Sequence, residues 1–159
     1  MKIDNELLLP ILKNVTIFAG LSDDNLRQIT NECQILEYAE NATIIRENTP
    51  GKELLVILQG RVKIVLGIDS EPFDVAEFGP GNCLGEVSMI GILNHSASVI
   101  ALEPTEILVI SKQILMDTFK TDKELFSILV LNIARELARR LYRTDQVLLD
   151  QNRKHQPQK

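Results

Sequence analysis

The chain has 159 residues and a net charge of −5, which speaks against nucleic acid as its main partner, because a phosphate backbone is met by a basic face. Hydrophobic residues make up 45% and aromatics only 4%, with no Trp, so the core of a single domain has to rest on Leu, Ile and Val. The start MKIDNELLLP lacks the pattern of a signal peptide, and no apolar run reaches the ~18 residues of a membrane span. A cytoplasmic chain with no membrane contact is therefore expected, with Cys33 and Cys83 as free, buried thiols. The two Cys and two His are scattered, so no metal site is expected. Paired carboxylates, a nucleophile elbow and a Walker loop are missing, and the reading is of a protein that is not an enzyme.

In chain order, residues 4–15 read as a short amphipathic helix. Ser22 then caps a second helix, with Asp23 and Asp24 in the first turn, where the helix dipole favours acids. That helix turns Leu26 and Ile29 inward and ends near Cys33. From Ile35 to Ser111 the chain breaks into seven short apolar runs: QILEY, ATIIRE, ELLVILQ, RVKIVLG, FDVAEF, SASVIA and EILVIS. Gly, Pro, Asn and Asp separate them, as in an antiparallel sandwich or barrel. RVKIVLG alternates, which predicts Val62, Ile64 and Leu66 on a buried face and Arg61, Lys63 and Val65 on the other.

Ser111 is placed to cap a helix in SKQILMDTFKTD. A longer helix runs from about 122 to 150 without Gly or Pro. It would be roughly 43 Å long, against an expected radius of gyration of about 15 Å. Leu125, Leu129 and Ile133 form one stripe, assigned to the β-body. Val130, Ala134, Leu137, Leu141, Thr144 and Leu148 form another, spaced like a coiled-coil seam. The second stripe predicts a homodimer through this helix. Arg135, Arg139, Arg140 and Arg143 are balanced by acids and read as a solvated face, with a second contact to nucleotide or partner as the alternative. Residues 151–159 are polar, without periodicity, and are expected to be a disordered tail; residues 1–150 form one domain. The fold class expected is mainly β with flanking helices: an antiparallel, jelly-roll-like β-roll with N-terminal helices and a long C-terminal helix.

Four stretches carry a resemblance. LLVILQGRVKIVL, EFGPGNCLGEVSMI, HSASV and ELARRLYRTDQ, in this order and spacing, are similar to the cyclic-nucleotide-binding domain family, which includes the catabolite-activator regulators and the protein-kinase-A regulatory subunits. The resemblance implies a ligand cassette at Gly85, Glu86, Val87 and Ser88, with Glu86 accepting from a ribose hydroxyl and backbone N–H groups facing a cyclic phosphate. It places His95 at the phosphate-arginine position, Ser96 at a phosphate-donating serine, and Thr144 where the catabolite-activator branch has a threonine reaching the purine. His95 is the departure. Arginine offers a permanent charge and a fork of donors; an unperturbed imidazole is only about a quarter protonated at pH 7. The loss of a charge-assisted bond would weaken a nucleotide by roughly 10- to 100-fold.

The resemblance thus implies a stand-alone regulatory module with no cofactor, whose ligand is cAMP or cGMP. It would signal to an unidentified effector protein through the long helix, with affinity rising as pH falls from about 8 to 6. No helix-turn-helix follows the long helix, so no direct contact with DNA is expected. The alternative is a degenerate domain that acts as a dimeric protein-interaction scaffold without nucleotide.

Overall fold

The computed structural model describes residues 5–155. Helix α1 (Asn5–Leu12), a 3-10 turn (Thr16–Phe18) and α2 (Asp23–Thr30) precede eight strands. These are β1 (Gln34–Tyr38), β2 (Thr43–Ile45), β3 (Glu53–Gln59), β4 (Val62–Leu66), β5 (Phe73–Phe78), β6 (Cys83–Leu84), β7 (Ser98–Ala101) and β8 (Thr105–Ser111). Helix α3 (Glu86–Gly91) lies between β6 and β7, and α4 (Lys112–Thr121) and α5 (Lys123–His155) close the chain. The strands form two antiparallel sheets, ordered β1-β8-β3-β6 and β2-β7-β4-β5. They face each other as an open roll rather than a barrel closed by hydrogen bonds.

Strands β3 and β8 lack alternation because both of their faces are buried. Leu54, Val56, Leu58, Leu108 and Ile110 point to the helices, where α1, α2, α4 and α5 cover them. Leu55, Ile57, Ile107 and Val109 point the other way, onto Ile45, Val62 and Val99 of the second sheet. A central strand covered on both sides reads as a continuous apolar run. Each such side chain contributes about 1.5–3 kcal/mol by leaving water.

The expected caps are present. Ser22 Oγ accepts from Asn25 N at 3.2 Å, and Ser111 Oγ accepts from Ile114 N at 3.3 Å. Leu125, Leu129 and Ile133 of α5 join the core beneath the first sheet.

Three expectations on the fold are corrected. An eighth strand, β6, is only two residues long and exists through its pairing with β3 (Leu55 with Leu84, Val56 with Cys83); no periodicity can show in two residues. Leu66 is exposed and Val65 buried, the reverse of the predicted faces at the end of β4. There the β5 partner skips a residue, so that Ile64 faces Ala76 but Val65 faces Asp74, and the β4–β5 end leaves the simple pleat. Helix α5 continues to His155, past the expected boundary at 150 and into the stretch expected to be disordered. Gln151 to His155 contain no breaker, and Pro157 is the first residue that opposes a helix. Residues 156–159 lie outside the described residues. Beyond Arg140, α5 has no apolar burial at all: Leu141, Val147 and Leu148 are exposed in the single chain. Among the described residues no helix is long and apolar enough to cross a membrane.

Candidate functional site

Pairing of β6 with β3 delivers Gly85 and Glu86 to the open edge of the roll. Gly85 has φ +81, and a Cβ there would meet Glu53 O at 2.5 Å. Only glycine makes this left-handed step so close to another backbone, and it starts α3 at Glu86. A second wall comes from the segment before β7. His95 N donates to Thr49 O and Asn48 N donates to His95 O, both at 2.8 Å, so the loop at 48–51 holds His95 in place. At Gly51 a Cβ would lie 2.1 Å from Ser88 Cβ, so loop, α3 and His95 touch.

These walls enclose a pocket of about 120 Å³. Gly85, Glu86, Val87, Ser88, His95 and Ser96 all line it, with Ile45, Ile64, Phe78, Leu84 and Val99 as its apolar surface. Six of the seven residues singled out in the sequence thus meet in one place. Thr144 does not: it is exposed, and its hydroxyl donates to Arg140 O of its own helix at 3.0 Å. It sits one turn beyond Arg140, in the part of α5 whose described side chains are exposed.

Glu86 dominates the chemistry. It is 1% exposed. One carboxylate oxygen, Oε1, accepts from Arg140 Nη1, while Oε2 is buried without a partner. Burial pushes its pKa up, the Arg140 charge opposes this, and Glu136 adds to the rise. An unsatisfied buried oxygen costs about 1–3 kcal/mol, so Oε2 is an acceptor waiting for a donor.

Arg140 was expected on a solvated face, and this is corrected: it reaches into the pocket wall. It donates from Nη2 to Cys83 O and from Nε to Glu136 Oε1 at 3.3 Å, and its guanidinium centre is 5.0 Å from the Phe78 ring centre. The missed signal was spacing. Leu129, Ile133, Glu136 and Arg140 advance by four, three and four residues, so Arg140 continues the stripe already assigned to the body. Charge balance across the whole helix obscured that stripe.

His95 Nδ1 lies 3.0 Å from Ser88 Oγ. One ring nitrogen is thereby engaged inside the protein, leaving Nε2 for any ligand. Burial lowers the imidazole pKa from its ordinary value and Glu53 only partly offsets this, so His95 is a neutral group at pH 7. Both thiols are protonated: burial pushes Cys33 and Cys83 up to about 12. No group of three or more His, Cys, Asp or Glu among the described residues is placed to hold a metal.

The family model described as "Cyclic nucleotide-binding domain" matches residues 35–122, more than half of the chain. The chain belongs to that family. A cyclic nucleotide-binding domain from Methylobacillus flagellatus superposes with a TM-score of 0.82 at 26% identity, covering 92% of this chain and 83% of that one. The cyclic AMP receptor protein of Thermus thermophilus is 25% identical over 135 residues, 84% of this chain and 61% of the relative. A cGMP-dependent protein kinase of Caenorhabditis elegans is 28% identical over 109 residues, 67% of this chain and 14% of the kinase. The chain therefore spans less than two thirds of these curated relatives. As a cyclic nucleotide-binding domain it carries an imidazole and a carboxylate–guanidinium pair at its pocket. Arg140 lies outside the matched segment, so the pocket is completed by a helix that the family model does not cover.

Proposed function

We propose that this chain is a regulatory module that binds cAMP or cGMP weakly and passes occupancy through α5 to an effector protein, as a homodimer within the cytoplasm. The relatives support the ligand class: one is named for cyclic AMP and one for cGMP. The observation that carries the reading is the buried, unpartnered Oε2 of Glu86, positioned beside a guanidinium supplied by α5.

A ribose hydroxyl donating to Oε2 satisfies an otherwise costly group. The phosphate faces the Ser96 hydroxyl and the His95 Nε2–H, held in that tautomer by the Ser88 hydroxyl donating to Nδ1; these are neutral donors in place of a charged fork. The present 120 Å³ is below the ~300 Å³ at which small-molecule pockets begin. The purine therefore needs either an open position outside the pocket or a shift of Arg140. A ligand that binds better when Arg140 is displaced moves the population of α5 positions by its differential affinity. No catalytic step is assigned to the site.

Calorimetry with 3′,5′-cyclic AMP and 3′,5′-cyclic GMP at pH 6 and pH 8 tests this directly. Saturable binding in the micromolar to millimolar range, abolished by Glu86→Ala, is the expected result. Silence at millimolar concentrations of both nucleotides would move the assignment to the second reading, a scaffold without ligand. The neutral His95 and the small pocket volume favour that second reading.

A further inference from the structure

The loop from β2 to β3 reads RENTPGK, with a cation at each end: Arg46 follows β2 and Lys52 precedes β3. The two strands belong to different sheets, so the loop crosses the open edge of the roll. Three contacts pin it to the segment before β7. His95 N donates to Thr49 O at 2.8 Å, Gly51 N donates to Leu93 O at 3.4 Å, and Pro50 bridges to Asn94. Both ends of the loop line a second cavity of about 270 Å³, with Tyr38, Ile44 and Leu55 among its other walls. This cavity shares only Ile45 and His95 with the first. The imidazole is thus a partition between two chambers.

The chambers differ in charge. In the first, the one cation, Arg140, is paired with Glu86. The second is lined by Arg46, Lys52 and Glu53, all exposed. Arg46 gives one nitrogen, Nη2, to Asp69, which lies outside the lining. An exposed pair of this kind holds weakly, and the rest of the guanidinium fork is left over. Among the described residues no ion pair engages Lys52. Two cations thus face one carboxylate, on a loop whose pinned backbone loses little freedom when a ligand arrives. A lysine point charge and an arginine fork reach separate oxygens of a phosphate. We infer that the second cavity is an anion site in which Lys52 and Arg46 hold a phosphate group, with the His95 ring as the wall shared with the first cavity. The group is either free inorganic phosphate or a further phosphate of a ligand seated in the first cavity. The site itself does not rest on the cyclic-nucleotide reading.

Titration with inorganic phosphate at constant ionic strength, followed by imidazole NMR and calorimetry, tests the site. Saturable binding in the millimolar range is expected, with the His95 resonances shifting and those of His155 unchanged. Lys52→Gln should weaken it about 5-fold or more. Glu53→Gln should tighten it about 2-fold, because it removes the opposing charge. Ser96→Ala, which alters only the first cavity, should leave it unchanged. The absence of saturable binding, indifference to Lys52→Gln, or a loss in Ser96→Ala instead overturns the site. A second pair of titrations separates the two sources. Inorganic phosphate that still binds in the presence of cyclic AMP is a free ligand. Adenosine 3′,5′-bisphosphate that displaces inorganic phosphate and weakens in both Ser96→Ala and Lys52→Gln is one ligand spanning the partition. If cyclic AMP does not bind while phosphate answers to Lys52, the anion site stands and the nucleotide reading fails. If cyclic AMP binds while phosphate ignores Lys52, the nucleotide reading stands and the anion site fails.

Discussion

Two regions of this molecule are buried by opposite means. Beneath the first sheet, Leu54, Val56, Leu108 and Ile110 meet Leu125, Leu129 and Ile133, each touching several apolar neighbours. At the pocket corner, Glu86, Arg140, Glu136 and Thr16 are held by one to three directional bonds each. Apolar contacts are redundant and change little when one group shifts. A buried ion pair has close alternatives in energy, because Coulomb attraction and desolvation nearly cancel. The same helix, α5, thus has an apolar anchor at its start and a charged, hydrogen-bonded contact in its middle.

The sharpest way to break this contrast is to damage each side in turn. Leu108→Ala, at a fully buried site between β-sheet and helices, should cost about 2–5 kcal/mol in denaturant unfolding, with little dependence on pH. Arg140→Leu should cost less, about 1–3 kcal/mol, because the guanidinium is partly exposed. Its cost should also vary with pH. The folded pKa of Glu86 is already raised, so its favourable share of stability is present at low pH and lost as pH rises through that folded value. Without Arg140 the carboxyl is raised further, and the penalty should be larger at pH 8 than at pH 5. A penalty equal at both would mean that Glu86 is not the group left unpaired.

His95→Arg probes the pocket rather than its latch. It should tighten cyclic AMP by roughly 10- to 100-fold in calorimetry and remove the pH dependence of binding. In the native chain that dependence has a definite sign. The fold lowers the imidazole pKa, so His95 opposes folding as pH falls below 6.5. A bound phosphate favours the protonated ring, and affinity should rise over the same window, lower than an unperturbed imidazole would give. Of the charged side chains around the ring, Glu53 is the one that raises its pKa, and Glu53→Gln should move the window lower still.

The smallest effect is expected at the far end of α5. Leu148→Glu, on an exposed position, should leave monomer stability within about 0.5 kcal/mol. Sedimentation of the native chain and of this variant tests the dimer: the native chain should sediment as a dimer and the variant as a monomer. A native monomer would end the homodimer reading.

Much of the frame was legible in the amino-acid order. The caps at Ser22 and Ser111 are local chemistry, set by a hydroxyl and an amide three residues away. The apolar runs of β3 and β8 announce burial on both faces, and Leu125, Leu129 and Ile133 announce which side of α5 meets the body. The gathering of Gly85, Glu86, Ser88, His95 and Ser96 was expected through family resemblance, since nothing local brings residues 85 and 95 together. Three features escaped. Strand β6 is too short to have a period. The shift at the end of β4 depends on which β5 residue is skipped. Arg140 was read by charge composition when its helical position was the better guide.

What the sequence determined alone is therefore everything carried by short-range spacing: capped helices, apolar strands, and a glycine before a glutamate. What only the tertiary structure decided is where charge is compensated. A buried carboxylate has to find its cation in three dimensions, and Glu86 finds it 54 residues away on α5. No local pattern records that pairing, because the cost of burying a charge depends on what packs around it.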